Sequence, residues 1–213
     1  ARHVIVAAGG SATVDGGLGA LEALDFDLRG ADVVVACDVE TAFVDAARLF
    51  GPQKGADVVA VARLEERLEG LAARYARDLG IDVREVPGAG AAGGLAGGLA
   101  AIGATLQPGA RLVADAVGLE DALAASALAI TGEGRYDATS RAGKVVGHVL
   151  ARAAELDVPA AIVAGDADAH AIAELPPGVP CATLVSLAGS ADAALREASG
   201  LAADAAEAIA RSG

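Results

Sequence analysis

A chain of 213 residues with net charge −13 can form one large domain or two small ones, each with a core of useful size. Hydrophobic residues make up 54% and charged residues 21%, which excludes a disordered chain, and the acidic balance excludes the basic surface that a nucleic-acid partner requires. No apolar stretch reaches the roughly 18 bulky residues of a membrane span; Ala91–Ala104 comes nearest, and its glycines weaken it. With three Phe, two Tyr, no Trp and no Met, the core must pack Val, Leu, Ile and Ala at close helix–sheet distances. Val4–Ala8 is too short for a targeting segment, so a soluble, cytoplasmic protein without membrane contact is expected. The chain opens on Ala and enters a strand-like run within three residues, which is expected of a piece of a longer polypeptide.

In chain order, His3–Ala8 reads as a buried strand, followed by a Gly-rich loop and a helix over Leu18–Leu24. Asp32–Cys37 is a second strand. Apolar positions Val61, Leu64, Leu68, Leu71 and Tyr75 give the 3–4 spacing of an amphipathic helix over Asp57–Leu79. Val83–Val86 suggests a short strand. Gly88–Ala104 reads as a helix so poor in side chains that something must approach it closely. Leu119–Ala125 is a further short helix, and Leu128–Thr131 a third clear strand running into a loop, Gly132–Asp137. Lys144–Leu156 reads as a helix, Ala160–Ala164 as a strand, Ala182–Val185 as a weaker strand and Ala191–Arg211 as a closing helix. Strand, Gly-rich loop, helix is the repeated unit, the sign of an α/β protein with parallel sheets and ligands at the strands' carboxyl ends. Cys37 and Cys181 lie in apolar runs and read as buried thiols rather than as a disulfide or metal site.

Three constellations could carry chemistry. The sixteen basic residues are fourteen Arg and two Lys, and both lysines sit beside glycine, Lys54 in Gly51-Pro-Gln-Lys54-Gly55 and Lys144 after Gly143. A compact ammonium suits phosphate or carboxylate oxygens; two ordinary solvated lysines are the alternative. Gly9-Gly10-Ser11-Ala12-Thr13-Val14-Asp15-Gly16-Gly17 can turn backbone N–H groups toward an anion, or be a tight turn with Asp15 as helix cap. Gly132-Glu133-Gly134-Arg135-Tyr136-Asp137, with Thr139 and Ser140 behind it, places carboxylates beside a guanidinium. That mix suits phosphoryl transfer, or a local Arg–Asp pair. Gly88-Ala-Gly-Ala-Ala-Gly93 formally matches a dinucleotide fingerprint, but close helix packing explains it better without a firm preceding strand. A Walker loop fails, since Ala138 stands six positions before Lys144 and Val145 follows it; no Gly-x-Ser-x-Gly elbow exists either.

In order, five stretches resemble the type-1 glycerate kinase family: Gly9–Gly17, Cys37-Asp38-Val39, Phe50-Gly-Pro-Gln-Lys-Gly-Ala56, Pro87-Gly-Ala-Gly-Ala-Ala-Gly-Gly94, and Ile130 through Asp137 to Gly143-Lys144. The resemblance implies ATP- and Mg²⁺-dependent phosphorylation of D-glycerate, giving 2-phosphoglycerate. It also implies two α/β domains, one inserted in the other with the active site between them: residues 1–122 as the inserted domain and 123–213 as the returning part of the outer one. The chain departs from the family after Val39, where Glu40-Thr-Ala-Phe43 stands, and after Asp137, where the family commonly has Gln-Thr and this chain has Thr139-Ser140. It also lacks the family's N-terminal segment.

On this reading Lys54, Arg135 and Lys144 bind carboxylate or phosphate oxygens, and Asp15 and Asp137 hold metal or accept the substrate's hydroxyl proton. Gly9, Gly10, Ser11, Thr13, Gly16, Gly17, Asp38, Gly132, Glu133 and Gly134 line the substrate and nucleotide sites. Glycerate is the expected small-molecule partner, and a homodimer is compatible with the sequence. A non-catalytic ligand-binding or oligomerisation fragment and a nucleotide-dependent oxidoreductase are the competing readings.

Overall fold

A computed structural model of the chain describes residues 2–141 and 144–212, so Gly143, part of one motif above, lies outside the described residues. The chain is a mixed α/β protein whose parallel sheets are flanked by helices, and it divides into two compact units, Ala1–Leu112 and Val113–Gly213. The nested-domain reading had placed its boundary at 122/123.

In the first unit, β1 (His3–Ala8), β2 (Asp32–Cys37) and β3 (Thr105–Pro108) form a parallel sheet in that order, with His3 opposite Asp32 and Val34 opposite Thr105. The sequence reading had no strand at β3, which is only four residues long and ends on proline. The helices are α1 (Leu18–Ala23), α2 (Ala46–Phe50), α3 (Val58–Leu79) and α4 (Leu95–Ala101). Asp57 caps α3 by accepting from the Ala60 N–H at 2.7 Å, and Gly80 ends it in the left-handed conformation. The 3–4 spacing works as expected: Leu68, Leu71 and Tyr75 are buried, each Leu contributing about 1.5–3 kcal/mol of apolar transfer. Tyr75 packs edge-on against the fully buried Phe43, ring centroids 6.1 Å apart.

The side-chain-poor segment is closely approached, as its composition requires, but it is not one helix. Pro87–Gly90 is turn, Ala91–Gly94 is a 3-10 turn with Ala92 and Gly93 left-handed, and only Leu95–Ala101 is α-helical. What comes close is the first Gly-rich loop. A Cβ added at Gly94 would stand 2.8 Å from the Gly16 Cα, and one at Gly98 would stand 2.7 Å from the Gly16 carbonyl oxygen. The expected strand over Val83–Val86 is absent: Val83 is buried as a single anchor in a turn-rich stretch, so its apolar character reflects packing rather than a ladder.

The second unit contains β4 (Ala129–Tyr136), β5 (Ala160–Ala167) and β6 (Cys181–Thr183), again parallel and in that order. The helices after β3 are α5 (Gly109–Val117), α6 (Leu119–Ala124), α7 (Val145–Glu155), α8 (Ala169–Ala173), α9 (Leu184–Ala188), α10 (Ala191–Arg196) and α11 (Ala198–Ser212). Three expectations change here. Gly132–Tyr136 is strand rather than loop, because β4 continues alongside β5, with Glu133 opposite Ala164 and Arg135 opposite Asp166. The weaker strand covers Cys181–Thr183 only, since the Thr183 hydroxyl accepts from the Ser186 N–H and starts α9. The closing helix is two helices, α10 beginning at the Ser190 cap and stopping before α11. Both cysteines are free thiols, Cys37 buried and Cys181 half-buried. Among the described residues no helix is long and apolar enough to cross a membrane.

Helix propensity and packing make opposite demands at two glycines. Gly70, in the middle of α3, has open space around it, so Gly70→Ala raises the melting temperature by about 1–3 °C. Gly98→Ala drives a methyl into the Gly16 carbonyl and lowers it by about 2–10 °C, an overpacking cost of about 1–3 kcal/mol. Thermal unfolding followed by circular dichroism reads both.

Candidate functional site

The predicted residues fall into two groups, one in each unit. In the first unit a cavity of about 180 Å³ opens past the carboxyl ends of β1 and β2, where ligands of parallel α/β sheets sit. Gly9, Gly10, Ser11, Asp38, Gln53 and Lys54 line it. Pro52 starts a 3-10 turn, Pro52–Lys54, that Gly55 ends in the left-handed conformation, so the lysine is presented at a fixed point. The Lys54 Nζ donates to the Ser11 Oγ at 2.8 Å and to the Thr13 carbonyl oxygen at 2.7 Å. Burial pulls the Lys54 ammonium below its ordinary value, and the charge of Asp15 pulls it back up.

The Gly9–Gly17 loop is only partly available to an anion. The Gly16 N–H donates to the Gly93 carbonyl at 3.0 Å, and the Gly16 carbonyl accepts from the Tyr75 hydroxyl at 3.1 Å. The Gly17 N–H donates to Asp15 Oδ1 at 3.1 Å, and the Gly9 N–H to the Ala7 carbonyl at 3.2 Å. Gly16 and Gly17 are thus packing residues. Asp15 ties a turn rather than capping the helix, since α1 has Gly17 at its cap position and no side-chain cap bond. Among the described residues Gly10 and Ser11 keep unpaired N–H groups at the cavity, and Asp15 keeps Oδ2 unbonded.

In the second unit Asp137 follows β4 and begins a tight turn. The Asp137 N–H donates to the Ser140 Oγ at 2.9 Å and the Ser140 N–H returns to the Asp137 carbonyl at 2.9 Å; Ser140 is fully buried beneath it. Asp137 Oδ1 accepts from Thr139 twice, from its N–H at 2.8 Å and its hydroxyl at 2.6 Å. These two bonds, more than the nearby charges of Lys144 and Arg135, hold the Asp137 carboxyl below its ordinary value. Lys144, at the cap position of α7, donates from Nζ to the Thr139 Oγ1 at 2.8 Å. Thr139 was noted in the sequence but given no role; the signal was there, a hydroxyl two residues after the carboxylate.

The strand residues complete this group. Gly132 lies so close to the Val163 carbonyl that no side chain fits, which is a sheet contact rather than an anion cradle. Glu133 Oε1 is buried without a hydrogen-bond partner, as is the Tyr136 hydroxyl. Arg135 is exposed and, among the described residues, takes part in no ion pair. No group of three or more His, Cys, Asp or Glu among the described residues is arranged to hold a metal ion by itself. The donor chemistry nonetheless fits Mg²⁺, which takes one or two carboxylates together with phosphate oxygens, since Asp15 and Asp137 each keep an unbonded Oδ2.

The Glycerate kinase family model matches residues 24–212. A glycerate 2-kinase from Escherichia coli K12 is 38% identical over 179 residues, covering 68% of this chain and 47% of its own length. A Mycobacterium bovis protein, Mb2228c, of uncharacterised function, is 40% identical over 208 residues, covering 93% of this chain and 55% of its own. Among solved structures, one provisionally named glycerate kinase 2 from Salmonella typhimurium LT2 superposes with a TM-score of 0.68 at 31% identity, covering 99% of this chain and 65% of that one. The chain spans about half the length of the curated relatives it matches.

Cys37 ends β2 beside the cavity residue Asp38, and burial, with Asp38 second, pushes its thiol up to about 11 from 9.0. The unfolded chain then ionises this thiol before the folded one does. Its contribution is therefore complete below pH 9 and falls as pH rises toward 11, by about 2–3 kcal/mol in all. Denaturant midpoints at pH 7.5 and 10.5 should drop less for Cys37→Ala than for wild type.

Proposed function

The chain belongs to the glycerate kinase family, and on that premise we propose that it transfers the γ-phosphoryl group of ATP to a hydroxyl of D-glycerate, giving 2-phosphoglycerate. One observation supports this above the others. Among the described residues both lysines rest on neutral oxygens, Lys54 on Ser11 and Thr13, Lys144 on Thr139, with no carboxylate within ion-pair distance. In a chain with 29 Asp and Glu, an ammonium so placed keeps its charge uncancelled for an anionic ligand.

The roles follow from the groups left free. The Gly10 and Ser11 N–H groups and the Lys54 ammonium bind phosphate or carboxylate oxygens at the first-unit cavity. In the second unit Arg135 and Lys144 offset the charge that gathers on the migrating phosphoryl group. Asp137, through Oδ2, accepts the proton that leaves the attacking glycerate hydroxyl, as a new O–P bond forms and the bond to the β-phosphate oxygen breaks. Mg²⁺, when bound, would neutralise β- and γ-phosphate oxygens, with Asp15 or Asp137 as its protein ligand. Asp38 and Glu133 line the same two groups of residues. Nesting of one α/β domain in the other belongs to the same reading, as does a cytoplasmic location.

Incubating the protein with ATP, Mg²⁺ and D-glycerate should yield ADP and phosphoglycerate in equal amounts. Lys144→Ala should cut turnover at least about a hundredfold with folding unchanged, as the loss of a transition-state cation does. Wild-type turnover in that variant removes Lys144 from the site. Nucleotide binding without ADP formation would instead favour a non-catalytic ligand-binding chain.

A further inference from the structure

We propose that Thr139 is a positioning residue of this site: its hydroxyl links Lys144 to Asp137 so that the two opposite charges stand close without pairing. The inference rests on the phosphoryl-transfer reading for its catalytic consequence, and on geometry for the link itself. The direction of each bond is fixed by chemistry. Lysine has no acceptor, so at 2.8 Å the Lys144 Nζ must donate and the Thr139 Oγ1 must accept. The hydroxyl's only proton is therefore directed to Asp137 Oδ1, 2.6 Å away. Ammonium to hydroxyl to carboxylate is a chain in which each bond polarises the next.

This arrangement spends little of either charged group. Asp137 Oδ1 is occupied by the Thr139 N–H and hydroxyl, while Oδ2 has no hydrogen bond. Lys144 uses one of its three N–H donors. Among the described residues neither group belongs to an ion pair, whereas Arg141, two residues beyond Thr139, is paired with Glu174. A direct Lys144–Asp137 pair would occupy the donors and the oxygen that a phosphate and a hydroxyl proton need. With the hydroxyl between them, the carboxylate stays fixed in orientation and the ammonium stays within one side-chain length of it. Thr139 is itself exposed on a short 3-10 turn anchored by buried Ser140, so removing its hydroxyl does not open the core.

The test uses Thr139→Val, which keeps the branched shape and the backbone N–H but loses the hydroxyl, and Thr139→Ser, which restores it. In the full chain, kcat should fall about 10–100-fold in Thr139→Val and recover most of the loss in Thr139→Ser, with KM for ATP within about threefold of wild type in both. With only two lysines, ¹⁵N-lysine labelling gives two side-chain Nζ resonances, assigned by Lys54→Arg and Lys144→Arg. Thr139→Val should move the Lys144 resonance and leave that of Lys54 in place, while Thr139→Ser keeps both. An unmoved Lys144 resonance in Thr139→Val, or equal loss of kcat in Val and Ser, overturns the proposal. If wild type forms no ADP, the kinase reading fails, yet the resonances still decide the link, with Mg·ATP as probe shifting Lys144 in wild type and Ser but not in Val.

Discussion

Each unit holds one ammonium group on neutral oxygen, and the proposed function depends on that. The surface arginines show the alternative. Arg29, Arg48 and Arg211 pair with carboxylates on exposed faces, where such pairs contribute little to stability, and the half-buried Arg84 and Arg152 pair with carboxylates as well. Lys54 and Lys144 are half-buried and are instead placed on Ser11, Thr13 and Thr139. A hydroxyl or carbonyl fixes the position of an ammonium without neutralising it. The acidic background of the chain makes the distinction sharper, since carboxylates to pair with are abundant.

Holding a cation in this way requires a rigid frame, and the first unit obtains it by omitting side chains. The loop that supplies Ser11 and Thr13 lies against the Ala91–Ala101 segment closely enough that a methyl at Gly94 or Gly98 would meet backbone atoms of Gly16. Tyr75 from α3 then fastens the Gly16 carbonyl. Glycine here serves packing first. The consequence is a smaller anion cradle than nine loop residues suggest: of the loop residues that line the cavity, Gly10 and Ser11 are the ones whose N–H groups stay open among the described residues. In the second unit the frame is different: one strand carries half-buried Glu133 and exposed Arg135, and buried Ser140 ties the turn that aims Asp137.

Much of this was legible in the residues. β1 and β2 fall where the β-branched runs are, and α3 follows its 3–4 spacing, because long regular patterns leave little room for tertiary override. What escaped was short or decided by neighbours. β3 has only four residues and owes its strand form to β2, and Val83 is apolar for packing alone. Gly132–Tyr136 looked like a loop because glycine is usually punctuation, yet pairing with β5 extends it as strand. Residue types and glycine flanks pointed to the lysine of each unit, while Thr139, which holds Lys144, depends on a geometry that spacing alone does not give. Family membership supports the reaction class proposed from the residue types.

The most direct measurement is a crystal structure of the full chain with a non-hydrolysable ATP analogue, Mg²⁺ and D-glycerate. Lys54 Nζ and Lys144 Nζ should each keep its hydroxyl partner and gain a ligand phosphate or carboxylate oxygen within about 3 Å. An analogue bound away from both, with each ammonium either unchanged or collapsed onto a carboxylate, would contradict the account.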